Sequence, residues 1–469
     1  MEHKTGKTPL EFFKEICKIP HGSGNVKKIA DYIENFAVER GLSCYRDEND
    51  TLLIRREACA GYEDKAPLLI QGHIDMVCEH DPDVKIDMET EGLTLCERDG
   101  WLFAKGTTLG ADDGAAVAIM LALLDDENLR APMLECLFTT DEETGMTGAS
   151  GFDYVRIKSR RMLNLDSGGE VVIVSCAGGL REFISDTPKC GDVSGDILTL
   201  EITGLSGGHS GIDIDKNHAN ANLLMLKLIE AADGRIISLH GGSKENAIPS
   251  SCRAEIYVED AVYAISAITE AEAEIRDSLV PGDCGMKLSI SKRTGTARAP
   301  EADFTKRLLK FTSHVPVGVI SYNEDVGMVE TSLNCAIIDV AADGFTLALS
   351  SRSSVDGRLD SLSEEIVSLA GECGFSCEAG AAYSGWEYVP SSPVRDEYIT
   401  EYREVTGREL EVMGIHAGLE CGIIKNAVPD MDIISTGVVT LDEHTPRERM
   451  EIASLSRVYE VVKKMACSR

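Results

Sequence analysis

Acidic and imidazole side chains follow the ends of several short apolar segments in the first part of this chain. LFTTDEETG passes from a hydrophobic run into Glu142 and Glu143, and PLLIQGHID ends in His73 and Asp75. NLDSGG supplies Asp166 after a third apolar segment. His73 and Asp75 are two residues apart, so their side chains face the same way on an extended strand. The spacing predicts a site where carboxylates and an imidazole meet.

Two further segments deliver residues of the same chemistry. GTTLGADDG places Asp112 in a glycine-rich loop at the start of a predicted helix, and DEHTPRERM places His444 before the last predicted helix. Clustered carboxylates repel one another unless a cation holds them. Mixed histidine and carboxylate ligands suit zinc, manganese or cobalt better than calcium, whose ligands are oxygen atoms. A pair of divalent ions with a hydroxide between them would leave this cluster nearly neutral.

The elements that must position these residues alternate between helix and strand patterns from about residue 30 to residue 180. Short apolar runs such as PLLIQG, MLECLFTT and RMLNLD alternate with helical patterns such as KKIADYIENFAVERG. This alternation predicts an α/β fold with a mostly parallel sheet flanked by helices. Such sheets bind their ligands at the carboxyl ends of the strands, which is where the acids described above occur.

From about residue 186 the pattern becomes that of an α+β unit. Four predicted strands, ILTLEITG, RIISLH, SCRAEIYV and MKLSIS, combine with helices at 217–232 and 261–278 in an arrangement like a βαββαβ unit. A second, looser copy has helices at 303–313 and 358–372 around a strand pair joined by AADG. We predict a discontinuous catalytic domain, 1–185 and 386–469, and an inserted lid domain, 186–385, made of these two halves.

Composition excludes several classes of partner. Lys and Arg number 46 against 79 Asp and Glu, so the net charge of −33 would repel nucleic acid and anionic membrane surfaces. The longest apolar run, AAVAIMLALL, is about half the ~20 residues that cross a bilayer, and it predicts a buried helix. The N-terminal residues lack the apolar core of a secretory signal. With fifteen scattered cysteines predicted to be reduced thiols, we expect a cytoplasmic protein.

Several motifs, in this order, resemble those of the two-metal metallopeptidases of the M20 family: HID, GADDG, TTDEETG, NLDSGG, SGGHSG, ENAIPS and DEHTP. The resemblance covers essentially the whole chain. HAGLECG and the doubled lid are most similar to the aminoacyl-histidine dipeptidase branch of that family. The resemblance implies a zinc-exopeptidase-like fold, two divalent ions per subunit, zinc with manganese or cobalt as alternatives, and a homodimer.

The resemblance also implies the metal ligands. His73 and Asp166 would hold one ion, Glu143 and His444 would hold the other, and Asp112 would bridge the two. One position departs from the pattern of close relatives, which often carry Asn after the bridging acid where this chain has a second Asp. That acid could change the hydrogen bonding beside the bridge.

Other residues receive catalytic and binding roles from the same resemblance. Glu142 would be the general base that activates a water shared by the metals, and Asp75 would fix the ring of the neighbouring histidine. His209 in SGGHSG would donate a hydrogen bond to the oxyanion. The substrate-binding residues would be Asn246, Arg352 and Glu420, although an acid in HAGLECG could equally cap a turn.

The predicted activity is hydrolysis of the peptide bond of dipeptides, including Xaa-His, because a lid that carries an anchor for the substrate carboxylate makes substrate length selective. An aminotripeptidase and an N-acyl amino acid amidohydrolase would share the metal centre and stay open as alternatives. A metal-binding protein without activity is disfavoured, because the general base is present together with every expected ligand. A decayed site would be free to lose the base first.

Overall fold

The computed structural model describes residues 6–467. Over these residues the helices, numbered in chain order, are α1 Pro9–Ile16, α2 Lys27–Glu39, α3 Ala111–Asp125, α4 Thr147–Gly151, α5 Ala221–Ala231, α6 Ala261–Ser278, α7 Ala302–His314, α8 Asp356–Glu372, α9 Pro393–Thr406, α10 Glu420–Ala427 and α11 Ile452–Cys467. No helix in this part of the chain is long and apolar enough to cross a membrane. Each of the fifteen cysteines is a free thiol, as predicted.

The strands are numbered in the same way. The first twelve are β1 Ser43–Arg46, β2 Leu52–Arg56, β3 Leu68–His73, β4 Leu95–Arg98, β5 Trp101–Ala104, β6 Leu134–Thr139, β7 Arg161–Asn164, β8 Val172–Cys176, β9 Gly178–Asp186, β10 Cys190–Thr203, β11 Gly208–His209 and β12 Arg235–Gly241. The others are β13 Ala247–Ile248, β14 Cys252–Val258, β15 Lys287–Pro300, β16 Gly318–Asn323, β17 Met328–Ala341, β18 Gly344–Ser353, β19 Ser376–Ala379, β20 Val412–Ile415, β21 Asp432–Ser435, β22 Thr440–Leu441 and β23 Arg449–Glu451.

The described chain divides into two compact units. Unit 1 contains the residues up to Ser175, Tyr388–Gly414 and the residues from Leu419, and unit 2 contains Cys176–Glu387 and Ile415–Gly418. The first boundary lies before the predicted position at 185, because β9 pairs with β18 and β19 of the second unit's sheet. The short segment Ile415–Gly418 was predicted to belong with the catalytic tail, but it groups with unit 2.

Unit 1 is built on an eight-stranded sheet in the order β1-β2-β6-β3-β7-β21-β8-β20. Its centre, β6-β3-β7-β21, is parallel throughout. These four strands consist mostly of buried apolar residues, as expected of strands that helices cover on both faces. The apolar run predicted to be a buried helix forms most of α3, which is buried from Gly114 to Leu124. The prediction of an α/β fold is confirmed.

Unit 2 contains a sheet in the order β15-β10-β14-β12-β17-β18-β9-β19, with β16 paired to β17. Pairing of β12 with β17 joins the two predicted halves into one sheet. The predicted AADG hairpin lies between β17 and β18, where Ala341 pairs with Gly344. Helix α5 begins at Ala221 instead of 217, because Asn217 has a left-handed conformation and Asn220 caps the helix.

Candidate functional site

The two carboxylate oxygens of Asp112 face two different imidazole rings within unit 1. Oδ1 lies 3.0 Å from Nε2 of His73, and Oδ2 lies 3.2 Å from Nε2 of His444. Asp112 follows Gly110 at the start of α3, where Gly110 has φ +67° and an added Cβ would lie 2.7 Å from the sulfur of Met76. Glycine is therefore required at that turn. This arrangement places Asp112 between two sets of possible metal ligands.

Each imidazole also contacts a second carboxylate. Nε2 of His444 lies 2.9 Å from Oε1 of Glu143, and Nε2 of His73 lies 3.5 Å from Oδ1 of Asp166. In one possible metal-binding group, ligand atoms of Asp112, Glu143 and His444 lie within 4.8 Å of one another. The structure thus brings together all five predicted ligands, although they are separated by as many as several hundred residues in sequence.

Burial and mutual repulsion make the acids of this group hard to ionise together. Burial raises the pKa of Asp166 to about 7, and burial followed by the charge of Asp166 raises the pKa of Glu142 well above its ordinary value. Hydrogen bonds to Asp112 and Glu143 raise the pKa of His444 to about 11. The imidazole is therefore held as a cation among these acids. Positive charge is what the cluster requires, so the donor set fits divalent metal ions.

Asp75 connects a metal-ligand candidate to the predicted general base. Its carboxylate lies 3.4 Å from Nδ1 of His73, whose ring also contacts the Asp75 carbonyl at 3.0 Å. The same carboxylate accepts a hydrogen bond from the backbone N–H of Glu142 at 3.1 Å and one from the hydroxyl of Ser23 at 2.8 Å. With Nδ1 engaged in this way, Nε2 of His73 is left to face the cluster. Asp75 therefore orients the His73 ring and the Glu142 backbone.

A row of buried polar side chains crosses the central strands directly beneath the cluster. Gln71 pairs in register with Asn164, and Asn164 with Ser435, because the strands β3, β7 and β21 end at the same edge. The amide of Asn164 donates to the Gln71 carbonyl oxygen at 2.7 Å and accepts from the Ser435 hydroxyl. A buried hydrogen-bonded network of this kind fixes the register of the strands. It therefore holds the strand ends that carry His73 and Asp166.

Glu420, predicted to meet the amino end of the substrate, lies at one end of this row. Its carboxylate accepts hydrogen bonds from the side chains of Gln71 and Thr139, the latter at 2.6 Å, and the residue has no exposed surface. Burial raises its pKa to about 8. Glu420 is the first residue of α10, and the hydrogen bonds from Gln71 and Thr139 connect its side chain to the strands β3 and β6. Contact with the substrate's amino end stays a prediction.

The predicted residues of the lid form a separate group within unit 2. His209 lies in the short strand β11, where the backbone N–H groups of Gly211 and Ile212 both donate to its Nδ1 at 3.2 Å. Because Nδ1 accepts, the proton of the neutral ring is on Nε2. Burial followed by the charge of Arg352 lowers the pKa of His209. The ring is therefore a neutral donor through Nε2.

Arg352 is a buried cation in the same unit. It is 7% exposed, and among the described residues no carboxylate lies within ion-pair distance of it. Its guanidinium donates to the hydroxyl of Tyr383 at 3.0 Å and to that of Ser210 at 3.4 Å. His416 lies nearby, and burial together with the charge of Arg352 lowers the pKa of its ring to about 3. A buried guanidinium with only neutral partners is suited to bind an anion.

The loops around Arg352 are held together by the backbone. The carbonyl of Asn246 accepts from the N–H of Ser210 at 2.8 Å, while the Asn246 residue itself is exposed. A Cβ added to Gly211 would lie 2.1 Å from the carbonyl oxygen of His416, so only glycine permits this approach. The hydroxyl of Ser332 lies 2.7 Å from Nε2 of His416. His416, the first residue of HAGLECG, therefore meets the SGGHSG motif in unit 2.

Sequence reasoning noted Asp113 only as a departure from the family pattern, and it missed other residues of these sites. Asp113 is 2% exposed, accepts from the backbone N–H of His73 at 3.2 Å, and belongs to a possible metal-binding group with His73 and Asp166. Its signal was the second acid of GADDG. His416 is the first residue of the HAGLECG motif, but no role was assigned to it. Tyr383 beside Arg352 carries no local signal, because its role depends on a contact with a distant segment.

Comparisons with known proteins agree with this geometry. A model of peptidase family M20/M25/M40 matches residues 69–468. The chain is 33% identical over 464 residues to the cytosol non-specific dipeptidase of Escherichia coli, covering 96% of this chain and 95% of that protein. It is similar to the crystal structure of aminoacylhistidine dipeptidase from Vibrio alginolyticus, with a TM-score of 0.89 and 30% identity over 98% of this chain and 97% of that one.

A more distant similarity concerns the fold alone. A tripeptidase from Staphylococcus aureus matches with a TM-score of 0.59 at 16% identity, covering 98% of each chain. The family match extends over most of the chain, and the two nearer similarities extend over nearly all of it. The predicted family is thereby confirmed. The chain belongs to peptidase family M20/M25/M40.

Proposed function

We propose that this chain is a metal-dependent dipeptidase that holds two divalent cations in unit 1. The observation that carries the proposal is the position of Asp112, whose two oxygens face the separate imidazoles of His73 and His444. Similarity to the E. coli and V. alginolyticus dipeptidases supports dipeptides as the substrates. One ion would be held by His73 and Asp166, the other by Glu143 and His444, with Asp112 shared.

The cations, when bound, supply a water of lowered pKa and polarise the scissile carbonyl. Glu142 would take the proton of that water, because one of its carboxylate oxygens lies within 4.8 Å of ligand atoms of both His73 and Glu143. Its raised pKa suits a group that accepts a proton near neutral pH and then donates it to the departing amine. Asp75 keeps the Glu142 backbone in place through the hydrogen bond to its N–H.

Unit 2 would supply substrate recognition. His209, protonated on Nε2, is suited to donate to the oxyanion that develops on the carbonyl oxygen. Arg352, which lacks a carboxylate partner among the described residues, is suited to bind the free carboxylate of a dipeptide. Asn246 is exposed next to the same loops and can contact the substrate backbone. A carboxylate anchor of this kind limits the length of the peptide that fits.

Three further assignments accompany this proposal. Zinc is the metal favoured by the mixed imidazole and carboxylate ligands, with manganese and cobalt as alternatives. We propose a cytoplasmic location, consistent with the free cysteines and with the cytosol protein of E. coli that the chain resembles. We also propose a homodimer, which a measurement of molar mass in solution would test. Xaa-His dipeptides are proposed among the substrates because of the similarity to aminoacylhistidine dipeptidase.

A small substrate panel tests the proposed activity against its two alternatives. Metal-stripped protein would be supplied with zinc or manganese and assayed on Ala-His, Ala-Ala-Ala and N-acetylalanine. Dipeptide hydrolysis alone is the expected result. Cleavage of the tripeptide with comparable kcat/KM would favour an aminotripeptidase, and cleavage of the N-acetyl amino acid would favour an amidohydrolase.

A further inference from the structure

Glu448 binds the backbone of the loop that carries Asp112. One of its oxygens accepts from the N–H of Leu109 at 2.7 Å and from that of Gly110 at 3.1 Å, while the other accepts from the N–H of Ala111 at 2.8 Å. The residue is 3% exposed, and among the described residues no basic side chain forms an ion pair with it. Three successive amides are therefore its charge partners, in an arrangement known as an anion-binding nest.

The segment that carries Glu448 is itself anchored in unit 1. Its backbone N–H donates to the carbonyl of Thr445 at 3.0 Å, which closes a turn directly after His444. The next residues form β23, which pairs with β5 through Arg449 and Phe103. Glu448 therefore connects two parts of the metal site that are more than 300 residues apart, the loop before Asp112 and the segment of His444.

We propose that Glu448 is a positioning residue that preorganises Asp112 for the two cations. Asp112 directly follows the last amide that Glu448 binds, so displacement of Asp112 would require breaking at least one charge-assisted hydrogen bond. A buried carboxylate without a basic partner costs free energy unless hydrogen bonds compensate it. Glu448 lies two residues beyond DEHTP, the motif whose histidine is assigned as a ligand. This inference rests on the proposed two-metal site.

The variant Glu448→Gln tests this role with little change of volume. A glutamine amide offers one acceptor oxygen where the carboxylate offers two, and its NH₂ group faces at least one N–H donor of the loop. The loop should then sample other conformations, and Asp112 should be less often in position to bind. We expect zinc to bind about 10- to 100-fold more weakly, the range that is usual when a group supporting a metal ligand is removed.

The measurement is competition between the metal-stripped protein and a chromophoric chelator for zinc. The matched control is Glu451→Gln, three residues further along, whose carboxylate forms an ion pair with Arg457 at 2.7 Å and has no contact with the loop. The control should bind zinc within about twofold of wild type, the spread expected for a surface change. Zinc affinity of Glu448→Gln within twofold of wild type would overturn the inference. Failure of wild-type protein to bind two ions would instead overturn the proposed function.

A second measurement uses wild-type protein, so it remains decisive if Glu448→Gln does not fold. Amide hydrogen exchange would be followed at Leu109, Gly110 and Ala111 in metal-free protein. We expect slow exchange at all three, because Glu448 holds these amides before any metal binds. Fast exchange without metal that slows only when zinc is added would show that the metal orders the loop, and it would overturn the inference.

Discussion

The candidate sites of the two units differ in the sign of the charge that is left uncompensated. The site in unit 1 has an excess of acidic groups, and the site in unit 2 has a buried cation without an acidic partner. In unit 1, Asp112, Glu143 and Asp166 gather around imidazoles, and His444 is held as a cation by its acidic neighbours. In unit 2, Arg352 is buried among hydroxyl groups, with His209 and His416 kept neutral. A site short of positive charge binds cations, and a site short of negative charge binds an anion. The difference supports the proposal that unit 1 binds metal ions and that unit 2 binds the carboxylate of the substrate.

The largest effect should follow from removal of the metals. Dialysis against a strong chelator should abolish dipeptide hydrolysis, because Glu142 then has no activated water to deprotonate. Zinc or manganese added back at two equivalents should restore it, as measured by kcat on Ala-His. Elemental analysis would confirm that the dialysed protein is free of metal. Full activity of that protein would contradict the assignment of metal ions to unit 1.

Glu142→Gln should have the next largest effect. We expect kcat to fall by roughly 10²- to 10⁴-fold, the usual contribution of a general base, while two zinc ions remain bound. The control is Asp141→Asn in the same turn, where φ is +53° and asparagine tolerates the left-handed conformation. Retained turnover in Glu142→Gln would point to another base. Loss of zinc together with turnover would show that Glu142 is a ligand.

Arg352→Met should change binding and stability in different directions. The KM for a dipeptide should rise by roughly 10- to 100-fold, because a hydrogen-bonded charge pair with the substrate carboxylate is lost. Thermal stability of the metal-loaded protein should be unchanged or higher, since an uncompensated buried cation has been removed. Arg181→Met, which removes an exposed ion pair with Glu245 in the same unit, is the control. An unchanged KM would contradict the anion site.

The smallest effect concerns Glu182, a buried acid of unit 2 that has hydroxyl partners and forms no ion pair with the basic residues that the structure describes. Burial raises its pKa from 4.5 to about 7, so the folded state binds a proton more tightly than the unfolded chain. The stability that this proton provides is fully present below about pH 4.5 and is lost as the pH rises through 7. Glu182→Gln should remove that decline, which is about 3 kcal/mol.

Chemical denaturation at pH 5 and at pH 8 would measure this change. Wild type should lose more stability than Glu182→Gln between the two pH values, with the difference confined to unfolding of unit 2. If wild type and Glu182→Gln lose the same stability between pH 5 and pH 8, Glu182 is already ionised in the folded protein at pH 5. Bound cations would keep the acids of unit 1 ionised in the same way. The result therefore shows whether burial alone raises the pKa of an acid that lies outside the cluster of unit 1.

The candidate ligands of unit 1 could be predicted because they follow regular sequence patterns. A parallel strand ends where its apolar run ends, so the positions of His73 and Asp166 follow from local sequence. The same reasoning could not predict Glu448, Gln71 and Tyr383, because the partners of these residues are 31 to 349 residues away in the sequence. Glu420 shows a related limit of sequence reasoning. The motif predicted contact with the substrate, whereas the complete burial of Glu420 favours a role in holding the strands beside the site.

The most direct test of the central claim is a crystal structure of zinc-loaded protein with data collected on both sides of the zinc absorption edge. The account predicts two anomalous peaks, one next to His73 and Asp166 and the other next to Glu143 and His444, with one oxygen of Asp112 bound to each ion. A single ion, or two ions that do not share Asp112, would contradict it.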